Sequence, residues 1–370
     1  MVKQRRFILK LNENINKKDI AIVAITKKGI EIAKRIQKAL SKAEIYVPEK
    51  FKSSDSSIVF FSESVTNKIE PLFQGYASLI CIFSLGAVIR LISPHLKDKK
   101  NDPAVIVIDD TAKFVISTLS GHLGGANELT LKVADILNSI PVITTAADVN
   151  KTIAIDLLGK KFNWVIDNFE NVTKVSAMMV NDERIGLYQD TGEQDWWNMD
   201  KLPKNVKMVK TITGLLSSEY RGSIIITDKL VTNKSMAEKS VIYRPKSLYV
   251  GIGMHWNTSK ETIKQGITKV LEENNLSSKS IKAITSLDKG KRVAGLDEFC
   301  TENKLPLLLF SKTELNEIDV PNPSDLVGKY EGTSSVSEAS SLAASKGTLI
   351  VPKQKFPPDL TVAVSRVIYQ

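Results

Sequence analysis

The stretch from Phe114 to Asp148 constrains the fold more than any other part of the chain. It opens on the β-branched and aromatic run Phe114-Val115-Ile116 and passes through Ser120-Gly121-His122-Leu123-Gly124-Gly125. Asn127 to Asn138 follows, with apolar residues at Leu129, Val133, Ile136 and Leu137, and then Pro141 to Thr145. A strand period giving way to a helix period across a glycine-rich turn predicts strand, turn, helix, strand. Glycines let backbone approach a ligand closely, and the first amides of a helix have no intrahelical acceptor. In an open α/β sheet such a turn lies in the crevice at the carboxyl ends of the strands, where ligands bind. The turn lacks the Lys-Ser/Thr ending of a P-loop and the spacing of a dinucleotide fingerprint. Taken alone, it is equally a tight turn that needs glycine for backbone reasons.

The rest of the first 150 residues repeats the alternation. Ile20 onward reads strand, turn, helix, strand, with Ile32, Ile36 and Leu40 as the buried helix stripe, and Ser57 to Phe61, Ser78 to Phe83 and Ala104 to Ile108 are further short strands. Strands alternating with helices predict parallel βαβ units. Residues 1–150 are therefore expected to form an N-terminal α/β domain. Residues 151–244 carry helix and strand signals (Asn168 to Val180, Arg184 to Tyr188, Ser223 to Thr227) and predict a smaller α/β middle domain. Ile242 to Ser247 reads as a linker because Pro245 restricts the residue before it. Residues 245–370 alternate again. The expected fold class is multi-domain α/β, with parallel or mixed sheets flanked by helices. In the last domain Leu248 to Gly253 reads as a strand running into a glycine turn. Thr258 and Glu261 read as a capping box, and Ser335 to Glu338 as a second one.

Composition excludes several classes. No run of about 18 apolar residues predicts a membrane helix, and the basic N-terminus turns polar after Leu11, unlike a signal peptide. Cys81 and Cys300 are the only cysteines, which disfavours a disulfide framework or a thiolate metal site. These features predict a cytoplasmic chain. The net charge of +10 suits either a lysine-rich proteome or a polyanionic ligand. Scattered basic residues, an aromatic content of 6% and the lack of a nucleic-acid-binding motif argue against nucleic acid.

Two separate blocks carry a resemblance. One combines SGHLGGAN and PVITTAAD with Leu85 to Arg90 and Asp102 to Val105. The other combines Val250 to Gly253, Ser286 to Lys289, Gly332 to Ala339 and Thr361 to Arg366. Together they resemble the cobalamin-biosynthesis protein G family (CbiG), the cobalt-precorrin-5A hydrolases. Met254-His255-Trp256 and Lys289-Gly290-Lys291-Arg292 depart from the family's usual residues at those places.

The resemblance implies opening of the ring A acetate δ-lactone of cobalt-precorrin-5A and loss of acetaldehyde, giving cobalt-precorrin-5B. Such chemistry needs a base to activate water, donors for the lactone oxyanion, and an acid or base for carbon–carbon cleavage. His122 is the candidate acid/base, with an ordering role in the turn as the alternative. Asp148, at a strand end, is expected to orient His122 or activate water, or to cap the next helix. Gly124 and Gly125 are candidate oxyanion or carboxylate donors. The wider substrate-binding set is Gly86, Arg90, Ser120, Gly121, Asn127, Thr144, Thr145, Gly251, Gly253 and Ser335. Ser120 beside His122 lacks a nucleophile elbow, which disfavours a serine hydrolase. Cobalt would arrive inside the substrate, and neither a cofactor nor a bound metal is expected. The expected partner is the polyanionic tetrapyrrole, with neighbouring pathway enzymes and a second copy of the chain as further candidates. A non-catalytic corrinoid carrier of the same pathway is the competing reading. A sugar-phosphate or nucleotide enzyme, with the glycine turns cradling phosphate, is the third.

Overall fold

The structure is a computed structural model in which residues 18–98, 101–122, 124–145, 152–197, 201–323 and 335–369 are described. They gather into two compact units, one ending at Leu157 and one beginning at Leu158.

The first unit is built on a seven-stranded sheet of β1 (Lys18–Ala24), β2 (Ala43–Pro48), β3 (Ile58–Phe61), β4 (Tyr76–Ile82), β5 (Ala104–Ile108), β6 (Phe114–Leu119) and β7 (Ile140–Val142), in the order β3-β2-β1-β4-β5-β6-β7. Ile22 and Ala24 face one side and Ala21 and Val23 the other, all at 0% exposure. A parallel strand buried on both faces needs just such an unbroken apolar run. Helices α1 (Lys27–Ala39) and α4 (Ala126–Leu137) cover one face through Ile32, Ile36, Val133 and Leu137. Helices α2 (Val65–Gly75) and α3 (Leu85–Ile92) cover the other through Ile69, Leu72, Val88 and Ile92. The Thr26 hydroxyl caps α1 by accepting from the Gly29 amide at 2.9 Å.

The sheet is mixed, the second of the two arrangements expected. β1 to β5 run parallel, but β6 pairs antiparallel with β5, and β7 is parallel to β6. The cause is chain length. Only Asp109 to Lys113 separate β5 from β6, whereas a parallel crossover needs about a dozen residues. The Asp109 carboxylate closes the turn by accepting from the amides of Thr111 at 3.0 Å and Phe114 at 2.6 Å. The glycine loop after β6 therefore emerges where β1, β4 and β5 begin. It lies at the carboxyl ends of β6 and β7 only.

The second unit holds two five-stranded sheets. One comprises β8 (Val165–Ile166), β9 (Ile185–Gln189), β10 (Val206–Met208), β11 (Gly222–Ile226) and β12 (Ser240–Arg244), in the order β10-β9-β11-β12-β8. The other comprises β13 (Leu248–Met254), β14 (Ile281–Leu287), β15 (Leu307–Phe310), β16 (Thr348–Phe356) and β17 (Leu360–Arg366), in the order β15-β14-β13-β17-β16. β13, β14 and β15 are parallel, while β16 and β17 form an antiparallel pair beside them.

The expected linker at Ile242 to Ser247 is instead largely structured. Its first half belongs to β12, with Tyr243 0% and Arg244 1% exposed. Ser240 to Tyr243 is rich enough in β-branched and aromatic side chains to form a strand, and Pro245 follows that strand rather than interrupting it. Arg244 donates to Asp167 Oδ2 from Nε at 3.0 Å and from Nη2 at 2.8 Å. Asp228, fully buried, receives Arg366 through two bonds of 2.7 Å and the Ser247 hydroxyl at 2.7 Å, which ties the two sheets together.

Gly251 and Gly253 do not form a turn. They lie inside β13, opposite Ala363 and Thr361 of β17. A Cβ on Gly251 would stand 1.8 Å from the Ser337 carbonyl oxygen, so glycine here lets the helix Ser337–Ser345 lie directly on the sheet. Both expected capping boxes also differ. The cap of the helix Lys260–Glu273 is Ser259, whose hydroxyl accepts from Thr262 at 3.1 Å. Glu338 is fully buried and accepts from the amides of Lys353 and Asn322 at 2.9 and 3.2 Å.

Candidate functional site

The glycine loop of the first unit is held by its own backbone. The amides of Gly125, Ala126 and Asn127 donate to the carbonyls of His122, Ser120 and Gly121 at 3.1, 3.2 and 2.9 Å. Ser120 stands at φ +55° and Gly125 at φ +89°. A Cβ at Gly121 would meet Asn127 Oδ1 at 2.7 Å, and one at Gly124 would meet Ser120 Cβ at 2.4 Å. Each glycine thus has a steric reason to be glycine. The Gly125 amide, expected as an oxyanion donor, is already spent on His122. Among the described residues the Gly124 amide has no acceptor.

Asn127 is 8% exposed and knits the loop to its neighbours. Its Oδ1 accepts from Ser117 Oγ at 2.6 Å, and its Nδ2 donates to Thr145 Oγ1 at 3.1 Å. The loop and the end of β7 are thereby one place, because β7 runs parallel to β6. Thr144 beside them is exposed. Ser120 Oγ donates to the Asp102 carbonyl at 3.1 Å rather than to His122, which removes any nucleophile–base pairing between these adjacent residues.

His122 has a partner to which no motif pointed. Its Nδ1 donates to Asp156, 3.1 Å from Oδ1 and 3.3 Å from Oδ2, and the two side chains are 13% and 20% exposed. An ionised carboxylate only accepts, so the proton of the neutral imidazole sits on Nδ1 and the basic lone pair on Nε2. Asp148, proposed for this role from its strand end, lies outside the described residues. Asp156 was missed because no motif links it to the loop. The available signal was a lone carboxylate in the apolar run Ile153 to Leu158, whose neighbours Ile153 and Ile155 are 2% and 1% exposed. A charge placed there needs a partner.

Gly86 and Arg90 are not brought to this place. They lie on α3, which begins at the carboxyl end of β4, while the glycine loop lies at the other end of the sheet. There the order β3-β2-β1-β4-β5 reverses direction between β1 and β4, the position where open α/β sheets leave a crevice. Arg90 is exposed and folds back to the Gly86 carbonyl at 3.4 Å. In the second unit the Ser335 and Ser337 hydroxyls are buried with no hydrogen-bond partner among the described residues. Trp196 and Trp197 have their ring centroids 6.4 Å apart, and their indole N–H groups donate to Gln189 Oε1 and the Lys201 carbonyl. Among the described residues no helix is long and apolar enough to cross a membrane, and no group of three His, Cys, Asp or Glu residues could hold a metal ion.

Comparison with known families accounts for most of the chain. The model of the cobalamin synthesis G N-terminal domain matches residues 67–148, that of the cobalamin biosynthesis central region residues 153–245, and that of the cobalamin synthesis G C-terminus residues 248–365. The chain belongs to the cobalamin biosynthesis protein G family. Within it, the chain is 42% identical over 357 residues to the cobalt-precorrin-5A hydrolase of Priestia megaterium, covering 95% of this chain and 96% of that one. It is 30% identical over 344 residues to the cobalt-precorrin-5A hydrolase of Salmonella typhimurium, covering 91% and 94%. A crystal structure of a cobalamin biosynthesis protein G homolog from Sulfolobus solfataricus aligns over 96% of this chain and 99% of that one, at 24% identity and a TM-score of 0.37. The α/β class expected of this family is the one observed.

Proposed function

We propose that this member of the protein G family is a cobalt-precorrin-5A hydrolase of cobalamin biosynthesis, and that the His122–Asp156 pair is its acid/base. The near full-length identity of 42% to a protein of that activity carries the reaction. The 3.1 Å bond from Nδ1 carries the choice of base.

In this reading His122 Nε2 takes a proton from water as the water oxygen attacks the ring A lactone carbonyl. The Gly124 amide faces the oxyanion of the tetrahedral intermediate. Collapse breaks the acyl–oxygen bond and leaves a carboxylate and a hydroxyl, the imidazolium returning its proton to the leaving oxygen. Removal of the hydroxyl proton by the same imidazole then permits the carbon–carbon cleavage. Acetaldehyde departs, and the bonding pair stays on the macrocycle. Asp156 keeps the ring in the productive tautomer and stabilises the imidazolium as it forms. Cobalt arrives within the substrate, and the chain supplies neither a resident metal nor a cofactor. Asn127 and Thr145 shape the wall of the site, and Asp148 remains a candidate there. Arg90 would bind a substrate carboxylate only at the opposite sheet edge. Such an enzyme works in the cytoplasm. Anaerobic incubation of the purified protein with cobalt-precorrin-5A tests the reading: equimolar acetaldehyde supports it, and a substrate that is bound but unchanged leaves the carrier in its place.

A further inference from the structure

Two residues of the glycine loop stand in the left-handed region, Gly125 at φ +89° and Ser120 at φ +55°. Glycine adopts that conformation freely, whereas a side chain there crowds the backbone. Gly125 is therefore the ordinary solution. Ser120 is the exception, in a turn that already holds three glycines. Strained backbone of this kind persists only where the surroundings hold it, and it gathers at functional sites. Ser120 is held by its hydroxyl, which donates to the Asp102 carbonyl at 3.1 Å, 18 residues back in the chain. Its own carbonyl accepts from the Ala126 amide at 3.2 Å, where α4 begins.

The Asp102 anchor is fixed in turn. Both oxygens of its carboxylate accept from the Lys97 amide, at 3.0 and 3.2 Å, and its amide donates to the Asp98 carbonyl at 3.1 Å. Asp102 is 9% exposed and stands two residues before β5, so the clamp ties the loop to the start of an interior strand.

We propose that Ser120 is a positioning residue for His122: its hydroxyl clamp holds the backbone angle that presents the imidazole to Asp156. A change of φ at Ser120 re-aims the segment between it and α4, and His122 lies in that segment. A glycine at position 120 would reach the angle more easily but would leave it free to change. The serine supplies the angle and a bond that keeps it, which explains why a fourth glycine does not stand there. The proposal rests on the reading of His122 as the acid/base, but the state of the ring can be read without substrate.

The full-length protein is labelled with 15N-histidine, and the ring nitrogens of His122 are followed at a pH where the imidazole is neutral. The chain holds three histidines, so the signals missing from His122→Gln assign the ring. The wild type should show Nδ1 protonated. Ser120→Gly removes the hydroxyl together with the strain, so it should fold normally, yet its His122 should pass to a mixture of the two tautomers. Its kcat on cobalt-precorrin-5A should fall about 10- to 100-fold with KM within about threefold, because a slightly misplaced acid/base loses that much. Ser139→Ala is the control. It removes another hydroxyl-to-carbonyl bond of the same unit, from Ser139 to Ala112 beyond the far end of α4, and should leave both readouts unchanged. An unshifted tautomer in Ser120→Gly would overturn the proposal, and so would an equal shift in Ser139→Ala. A shift in Ser120→Gly with no acetaldehyde from the wild type would support the clamp and contradict the hydrolase reading alone.

Discussion

His122 Nδ1 lies 3.1 Å from Asp156 Oδ1, a bond that spans 34 residues of chain and joins the glycine loop to the segment that closes the first unit. The loop also bonds among its own backbone groups and to Asp102, Ser117 and Thr145. An ionised carboxylate there holds the ring in one tautomer, which the proposed acid/base role requires.

Asp156→Asn tests that relationship. It keeps the shape and removes the charge that stabilises the imidazolium, so kcat should fall by about 100-fold or more while KM stays within about threefold. Asp156→Glu should recover part of the loss. A purely structural Asp156 would instead give a variant with lowered stability and near-normal kcat per folded molecule.

The candidate glycines divide by what a methyl group would strike. Gly124→Ala would press on Ser120 and should cost about 1–3 kcal/mol of stability. Gly86 sits in the exposed first turn of α3, its nearest neighbour Arg90 Nη1 at 3.7 Å, so Gly86→Ala should stabilise by about 0.5–1 kcal/mol. Urea denaturation of the two variants beside the wild type reads both signs.

Gly251 is the sharper case, since its added Cβ would stand 1.8 Å from the Ser337 carbonyl oxygen, backbone against backbone. Gly251→Ala should cost about 4 kcal/mol or yield little folded protein, because neither the strand nor the helix can move alone. Normal thermal unfolding of that variant would refute the account of why the helix Ser337–Ser345 lies so close to the sheet.

Asp167 gives the pH dependence. Burial opposes its charge, but hydrogen bonds from Lys279 and Arg244 outweigh burial and hold its carboxyl below the ordinary carboxylate value. Its contribution is therefore fully present above the unfolded pKa of about 3.9 and drains away as pH falls through the lower folded value. Asp167→Asn should be less stable than wild type by about 1.5–3 kcal/mol at neutral pH, with the gap closing in strong acid. Denaturant midpoints between pH 7 and pH 2 would show a constant gap if the pair contributed nothing through its charge.

Local pattern carried much of the fold into view and missed what depends on distance. Ile20 to Val23 announced a strand, and Ile32 and Ile36 a helix face, because one side of each period is enough to see them. The reversal of β6 was also written in the chain, in the five residues from Asp109 to Lys113, but only as a length too short for a crossover. Gly251 and Gly253 read as a turn. Their spacing of two, which puts them on one face of a strand, was the clue that a helix presses there. The loop around His122 stood out for its glycines, whereas Asp156 comes from a segment with no motif. That an Asp inside Ile153 to Leu158 must find a partner follows from burial, but which partner follows only from the folded chain.

The central claim is tested most directly by giving cobalt-precorrin-5A, without oxygen, to the wild type and to His122→Ala, and following acetaldehyde and tetrapyrrole binding in the same samples. Acetaldehyde from the wild type, and at least about 100-fold less from a variant that still binds, is the result predicted for an acid/base at this position. Equal release from both proteins would remove His122 from the chemistry, and binding without release from either would contradict the hydrolase itself.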